Sequence, residues 1–285
     1  MSPDFLSVVV RSASFIALFQ AAGMVIFIAV FDRHLEASLA PIRRIASLSA
    51  LAAIALLVAH HALEAARMAD SISGIIESSL QMMVWTSASS VVLAVRVAGL
   101  ALIAIGNSRR SNASIFGLIG AVVIGASFTL TGHTSANPLR WVLAPLLMVH
   151  VMIVAFWFGA LAPLYLVSRR ESPAIAGRVT ETFSRVAGWL VPGILVAGFL
   201  MGLILGRHLA EFRLAYGISL LGKLAGFAIL MGFAALNKWR LGPQLATGDL
   251  KTLRFFRRSL GTEYVLIAAV LGITAVMTTF FSPEP

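Results

Sequence analysis

Cysteine is absent from the 285 residues, which excludes disulfides, iron–sulfur clusters and thiolate metal sites. Charge is scarce too: 12% of residues are Asp, Glu, Lys or Arg, against about 25% in a water-soluble domain. A nucleotide-binding motif, an Asp-Lys-Thr-Gly-type phosphorylation site and a soluble catalytic domain are all missing, so the chain reads neither as an enzyme nor as a primary pump. With so thin a polar coat, the hydrophobic 59% and a mean hydropathy of +0.92 have no place in water. A bilayer accepts them, because a helix of roughly 20 apolar residues crosses its hydrocarbon core.

Apolar runs bounded by charge predict spans at 12–31, 45–63, 83–105, 114–131, 141–167, 186–206, 217–236 and 262–281. The runs are continuous rather than alternating, which argues for helices and against a lipid-facing barrel. The expected fold is therefore all-α: a polytopic membrane helical bundle with about eight transmembrane helices, forming a single transmembrane domain over 1–285. The apolar run after Arg11 is long and no small-residue cleavage site follows it before Asp32, so no cleavable signal is expected.

The net charge of +10 does not indicate nucleic acid, because the cations fall between spans, where topology and anionic headgroups explain them. Fifteen of the 22 Lys and Arg gather on one side and five on the other, with Arg96 and Lys223 inside spans. That bias places the richer side in the cytoplasm and both termini in the periplasm of a bacterial inner membrane. The basic stretch 237–261 becomes the main cytoplasmic loop. Five of the six histidines then belong to the outer half: His60, His61, His133, His150 and His208.

With no thiolate available, any soft or borderline metal would have to use imidazole and thioether ligands. The outer-side set of His60, His61, His133, His150, Met82 and Met83 is chemically apt for it. Adjacent helical residues diverge by about 100°, so His60 and His61 are not expected to face one point. For the same reason Met148, His150 and Met152 do not form a tridentate cluster. Arg96 is expected to pair with Glu263, and Lys223 with Glu64, Glu77 or a carbonyl, since charges inside lipid pair or face water.

Gly132-His133, then His150, then Phe156-Trp157-Phe158-Gly159-Ala160-Leu161-Ala162-Pro163 resemble the copper-resistance D (CopD) family. The likeness continues through Phe183-Ser184-Arg185, Leu220-Leu221-Gly222-Lys223, Ala235-Leu236-Asn237-Lys238-Trp239-Arg240-Leu241-Gly242-Pro243 and Arg257-Arg258-Ser259 to Glu263. It covers 131–285, while 1–113 matches more loosely. Two positions depart from the pattern: Leu147 stands where some members carry a second histidine, and Ala160 where the motif has a second glycine.

The resemblance implies inner-membrane copper handling, with copper moved from the periplasm toward the cytoplasm, often beside a periplasmic CopC-like copper carrier. Two other readings stay open. One is a membrane electron carrier with b-type haem held by His60 or His61 and His150, since haem needs two axial ligands facing each other. The other is a non-transporting membrane partner of a periplasmic copper carrier.

Overall fold

The computed structural model describes residues 2–108, 113–206, 214–245 and 247–280. Its elements are α1 (Pro3–Phe31), α2 (Leu39–Met68), α3 (Ser78–Thr86), α4 (Ala88–Ser108), α5 (Ala113–Ser127), α6 (His133–Ala136), α7 (Arg140–Arg170), α8 (Pro173–Gly206) and α9 (Leu214–Leu236). A π-helical turn (Asn237–Leu241), α10 (Gly242–Leu245) and α11 (Leu250–Phe280) follow, and among the described residues there is no strand. Among the described residues, seven helices are long and apolar enough to cross a membrane. The run expected at 114–131 forms a shorter apolar helix over Ile115–Leu130.

α1 is the hub. It packs against α2, α4, α5, α7 and α11, and 72% of its apolar window is buried, against 11% for α8 and 6% for the segment Gly217–Leu245. A helix enclosed on every side needs no polar face, and Leu18, Ala21, Met24 and Phe27 of α1 are fully enclosed. Its approach to α7 is the closest in the bundle. A Cβ placed on Gly159 would lie 2.4 Å from Gly23 Cα, and one on Gly23 would lie 1.8 Å from the Ala155 carbonyl oxygen. Such contact between helix backbones needs two glycines. The Gln20 amide N–H2 donates to the Gly159 carbonyl at the same crossing, at 3.3 Å.

Polar side chains fix the two ends. Arg67 Nε donates to Asp4 at 2.8 Å, and its Nη2 reaches the Thr279 carbonyl at 3.5 Å, so the two ends of the described chain meet at one end of the bundle. At the other, Glu171 accepts from the backbone N–H of Ala37 and of Ser38 at 3.0 and 2.8 Å. It thereby satisfies donors at the start of α2 that no intrahelical carbonyl can reach. Arg257 donates to Ser168 Oγ at 3.0 Å and to the Ser168 carbonyl, tying α11 to α7.

Two expectations about segments change. The run 83–105 is broken at Ser87, which is extended at φ −80°, ψ 166°. Its hydroxyl donates to the Val84 carbonyl at 2.7 Å, a local bond that competes with helix continuation. The basic stretch 237–261, expected as a loop, is largely helical, since α11 begins at Leu250.

Asp249 caps α11. It accepts from the backbone N–H of Lys251 and Thr252 at 3.3 and 2.8 Å and from the Thr252 hydroxyl at 2.8 Å. These donors, Thr252 foremost, hold its carboxyl below the ordinary carboxylate value. A depressed carboxyl stabilises the fold above its unfolded-state pKa, and that stabilisation is lost as pH falls through the folded-state value. Acidification is therefore expected to fray the first turn of α11, seen as faster amide hydrogen exchange at 251–253. Asn also caps well, so Asp249→Asn should keep the turn and flatten its acid response. An unchanged acid response in that variant would remove Asp249 as the cause.

Candidate metal-handling site

His60 and His61, on the last turns of α2, sit toward the end where Asp4, Arg67 and Thr279 meet. On α2, at about 100° per residue, Glu64 falls about 40° round from His60, between it and His61. One carboxylate therefore reaches both rings. Glu64 Oε1 lies 3.9 Å from His60 Nδ1, and Oε2 lies 3.6 Å from His61 Nδ1. The sequence separates the two rings, and Glu64 links them.

Each ring has further partners. His60 Nε2 is 3.3 Å from Ser7 Oγ of α1. His61, 3% exposed, has Nε2 at 3.1 Å from Ser90 Oγ and Nδ1 at 3.4 Å from Ser89 Oγ. Ser89 in turn donates to Glu64 at 3.0 Å. The Trp85 ring meets His61 edge-on at 4.7 Å between centroids. The break at Ser87 thus has a consequence for the site, because it brings Trp85, Ser89 and Ser90 onto His61 from both sides of the kink.

The surroundings are cationic. Arg11, Arg96 and Arg67 all act electrostatically on His60. Arg96 does not pair with Glu263. Its Nε donates to Ser127 Oγ at 3.1 Å, and its guanidinium lies over Phe128 at 4.5 Å. α4 starts after the break, at Ala88, so Arg96 comes about two turns from the histidine end. Glu263 is engaged elsewhere, accepting from the Asn237 amide.

His150 stands ten residues into α7, about 15 Å along it. Its Nδ1 is buried without a hydrogen-bond partner, with the Ile194 carbonyl of α8 close by. A Cβ on Gly198 would come only to 3.8 Å from the ring, so the facing helix leaves the imidazole room. Lys223 finds neither Glu64 nor Glu77. Its electrostatic neighbour is His150, from α9.

The remaining expected ligands are dispersed. Met82 and Met83 are 66% and 56% exposed on α3. Gly132 takes φ +75°, a backbone that suits glycine, and opens α6 at His133. The side chain of His133 and all of His208 lie outside the described residues, and His34 is at the opposite end, in the turn after α1. Among the described residues, no group of three or more His, Asp or Glu stands ready to hold a metal ion. Sequence reasoning missed Glu64, and the spacing His-His-x-x-Glu, three and four residues apart on one helix, was its signal.

Two family models match the chain: Copper resistance protein D-like, N-terminal domain, over residues 1–141, and Copper resistance protein D over residues 177–277. The Copper resistance protein D of Pseudomonas syringae pv. tomato is 28% identical over 309 aligned positions, which cover 99% of this chain and 98% of that protein. No solved structure matches. The two models fall on opposite halves and the relative runs end to end: the chain belongs to the copper-resistance D family, as a multi-pass membrane protein with a copper-related role.

Proposed function

We propose that this protein moves copper from the periplasm across the bacterial inner membrane, entering at the His60–Glu64–His61 end and passing inward by way of His150. The observation that carries this reading is the depth series. Two imidazoles and a carboxylate gather at one end of the bundle, and a third imidazole, with a buried unpartnered nitrogen, lies deeper on α7. An unpaired buried ring nitrogen costs free energy, and intramembrane histidines commonly mark ion pathways.

The cation-poor end faces the periplasm in this reading, with both termini there, as the bias of Lys and Arg indicates. Exposed Met82 and Met83 offer thioethers to incoming Cu(I) at that end, and His133 belongs to the same set by its place in the family motif. A periplasmic CopC-like carrier is the expected donor. Because Glu64 lies between the two rings, incoming copper would displace the carboxylate from one ring rather than drop into a finished cage.

The test is copper content and absorption spectrum of the purified protein, alongside a His60→Ala/His150→Ala double variant, with copper uptake measured in cells. Copper bound by the wild type, and weakened at least about tenfold in the variant, a loss of about 1.4 kcal/mol, is the expected result. Equal binding by both proteins would remove these histidines from the pathway. A Soret band lost with the same histidines would replace the transport reading with a haem electron carrier.

A further inference from the structure

The basic end of the bundle carries a feature that copper handling does not use. A π-helical turn is rare, and where one occurs it often serves function. Here its wide geometry turns Asn237 and Leu241 inward, both buried, and leaves the three residues between them, Lys238, Trp239 and Arg240, all exposed. Asn237 is anchored by its bond to Glu263 of α11, which holds the turn in place.

Across from the turn, α8 presents a bare stretch of backbone. A Cβ on Gly188 would come within 2.9 Å of Lys238 Nζ, so the ammonium rests over that glycine. The next residue, Trp189, is 82% exposed, and Trp239 is 75% exposed. Two exposed indoles are therefore next in sequence to the Gly188–Lys238 contact, one on each side of it.

The acidic groups nearby are committed elsewhere. Glu181 pairs with Arg185 at 3.0 Å, Asp249 caps α11, and Glu263 is buried on Asn237. Among the described residues, neither Lys238 nor Arg240 joins an ion pair with the protein.

We propose that the π turn and the Gly188–Trp189 face of α8 form a headgroup site for an anionic phospholipid, its phosphodiester held by Lys238 over Gly188, with Arg240 adding positive charge from the other flank of the turn and Trp189 and Trp239 at the glycerol level. The chemistry matches at each point. Lys gives a compact charge for phosphate oxygens, a second cation on the same turn strengthens the attraction, and basic pockets between transmembrane helices recruit anionic headgroups. Tryptophan prefers the headgroup level of the bilayer. Inorganic phosphate shares the anionic chemistry but has no use for the indoles, so the lipid is the assigned source.

Purified, delipidated protein would be titrated with phosphatidylglycerol carrying brominated acyl chains, and with brominated phosphatidylcholine, following tryptophan quenching. Each cation near a lipid surface contributes about 1 kcal/mol, so Lys238→Gln/Arg240→Gln should bind phosphatidylglycerol about thirty-fold more weakly. Arg254→Gln, an exposed cation elsewhere on α11, should match the wild type. Trp189→Leu/Trp239→Leu should lose the phosphatidylglycerol-specific quenching.

Equal quenching of the wild type by the two lipids would overturn the proposal, and that measurement needs no variant. So would unaltered affinity in the Lys238/Arg240 variant. Competition by inorganic phosphate at equal concentration would overturn the lipid assignment in favour of a soluble anion.

Discussion

Gly159→Leu is expected to prevent α1 from seating on α7 and so to abolish the folded protein. The atoms a side chain would strike are Gly23 Cα, Gly23 carbonyl carbon and Met24 N, at 2.4, 2.5 and 2.7 Å. All three are backbone, so no rotamer change can give way. The helices would have to separate, and α1 packs against α2, α4, α5, α7 and α11. Overpacking a core ordinarily costs about 1–3 kcal/mol, and here the loss should exceed about 4 kcal/mol, the range reserved for severe disruption.

The check is size-exclusion profile and melting temperature in detergent, beside Gly202→Leu. A Cβ at Gly202 would meet nothing within 4 Å, so that variant should behave as the wild type. A monodisperse Gly159→Leu protein with an unchanged melting temperature would show that the α1–α7 crossing is looser than these distances imply.

The same crossing shows why part of the fold was legible in the residues. Trp157, Gly159 and Ala160, which carry part of the family resemblance, each do something physical. Trp157 is buried in the core, Gly159 admits Gly23, and Ala160 is wholly enclosed. Hydrophobic length predicted where helices run, because lipid demands apolar residues along the whole crossing. It could not predict where helices stop beyond the lipid. α8 and α11 continue into basic sequence because helices there are held by caps and cross-links such as Asp249 and Arg257, which are not apolar.

Partners of buried charge were the least legible. Arg96 and Glu263 are complementary by charge, but hydropathy fixes depth only loosely, and the break at Ser87 moves Arg96 toward the histidines. Glu64 is a plausible partner for Lys223 by charge alone, yet its helical register already gives it His60 and His61. Helical spacing is the better guide in that case, since it depends on three or four residues of one helix rather than on the packing of several. The π turn leaves no signal in periodicity, because it is produced by tertiary contacts around Asn237.

Those contacts set the second large effect. Glu263→Leu is expected to destabilise the protein by about 1–3 kcal/mol, because it strands a buried donor, the Asn237 amide. Glu263→Gln should behave differently. Its amide oxygen can still accept from the Asn237 amide, and its N–H2 supplies a donor of the kind that Asn237 Oδ1, buried without a partner in the wild type, lacks. That variant should melt within about 1 kcal/mol of the wild type, by the usual size of one net hydrogen bond, and should keep the Lys238–Trp239–Arg240 triplet presented to lipid. Thermal unfolding of both variants, with phosphatidylglycerol quenching as a second readout, separates the possibilities. If glutamine proves as damaging as leucine, the negative charge itself is needed at this depth, and Glu263 belongs with the ion pathway rather than with the support of the turn.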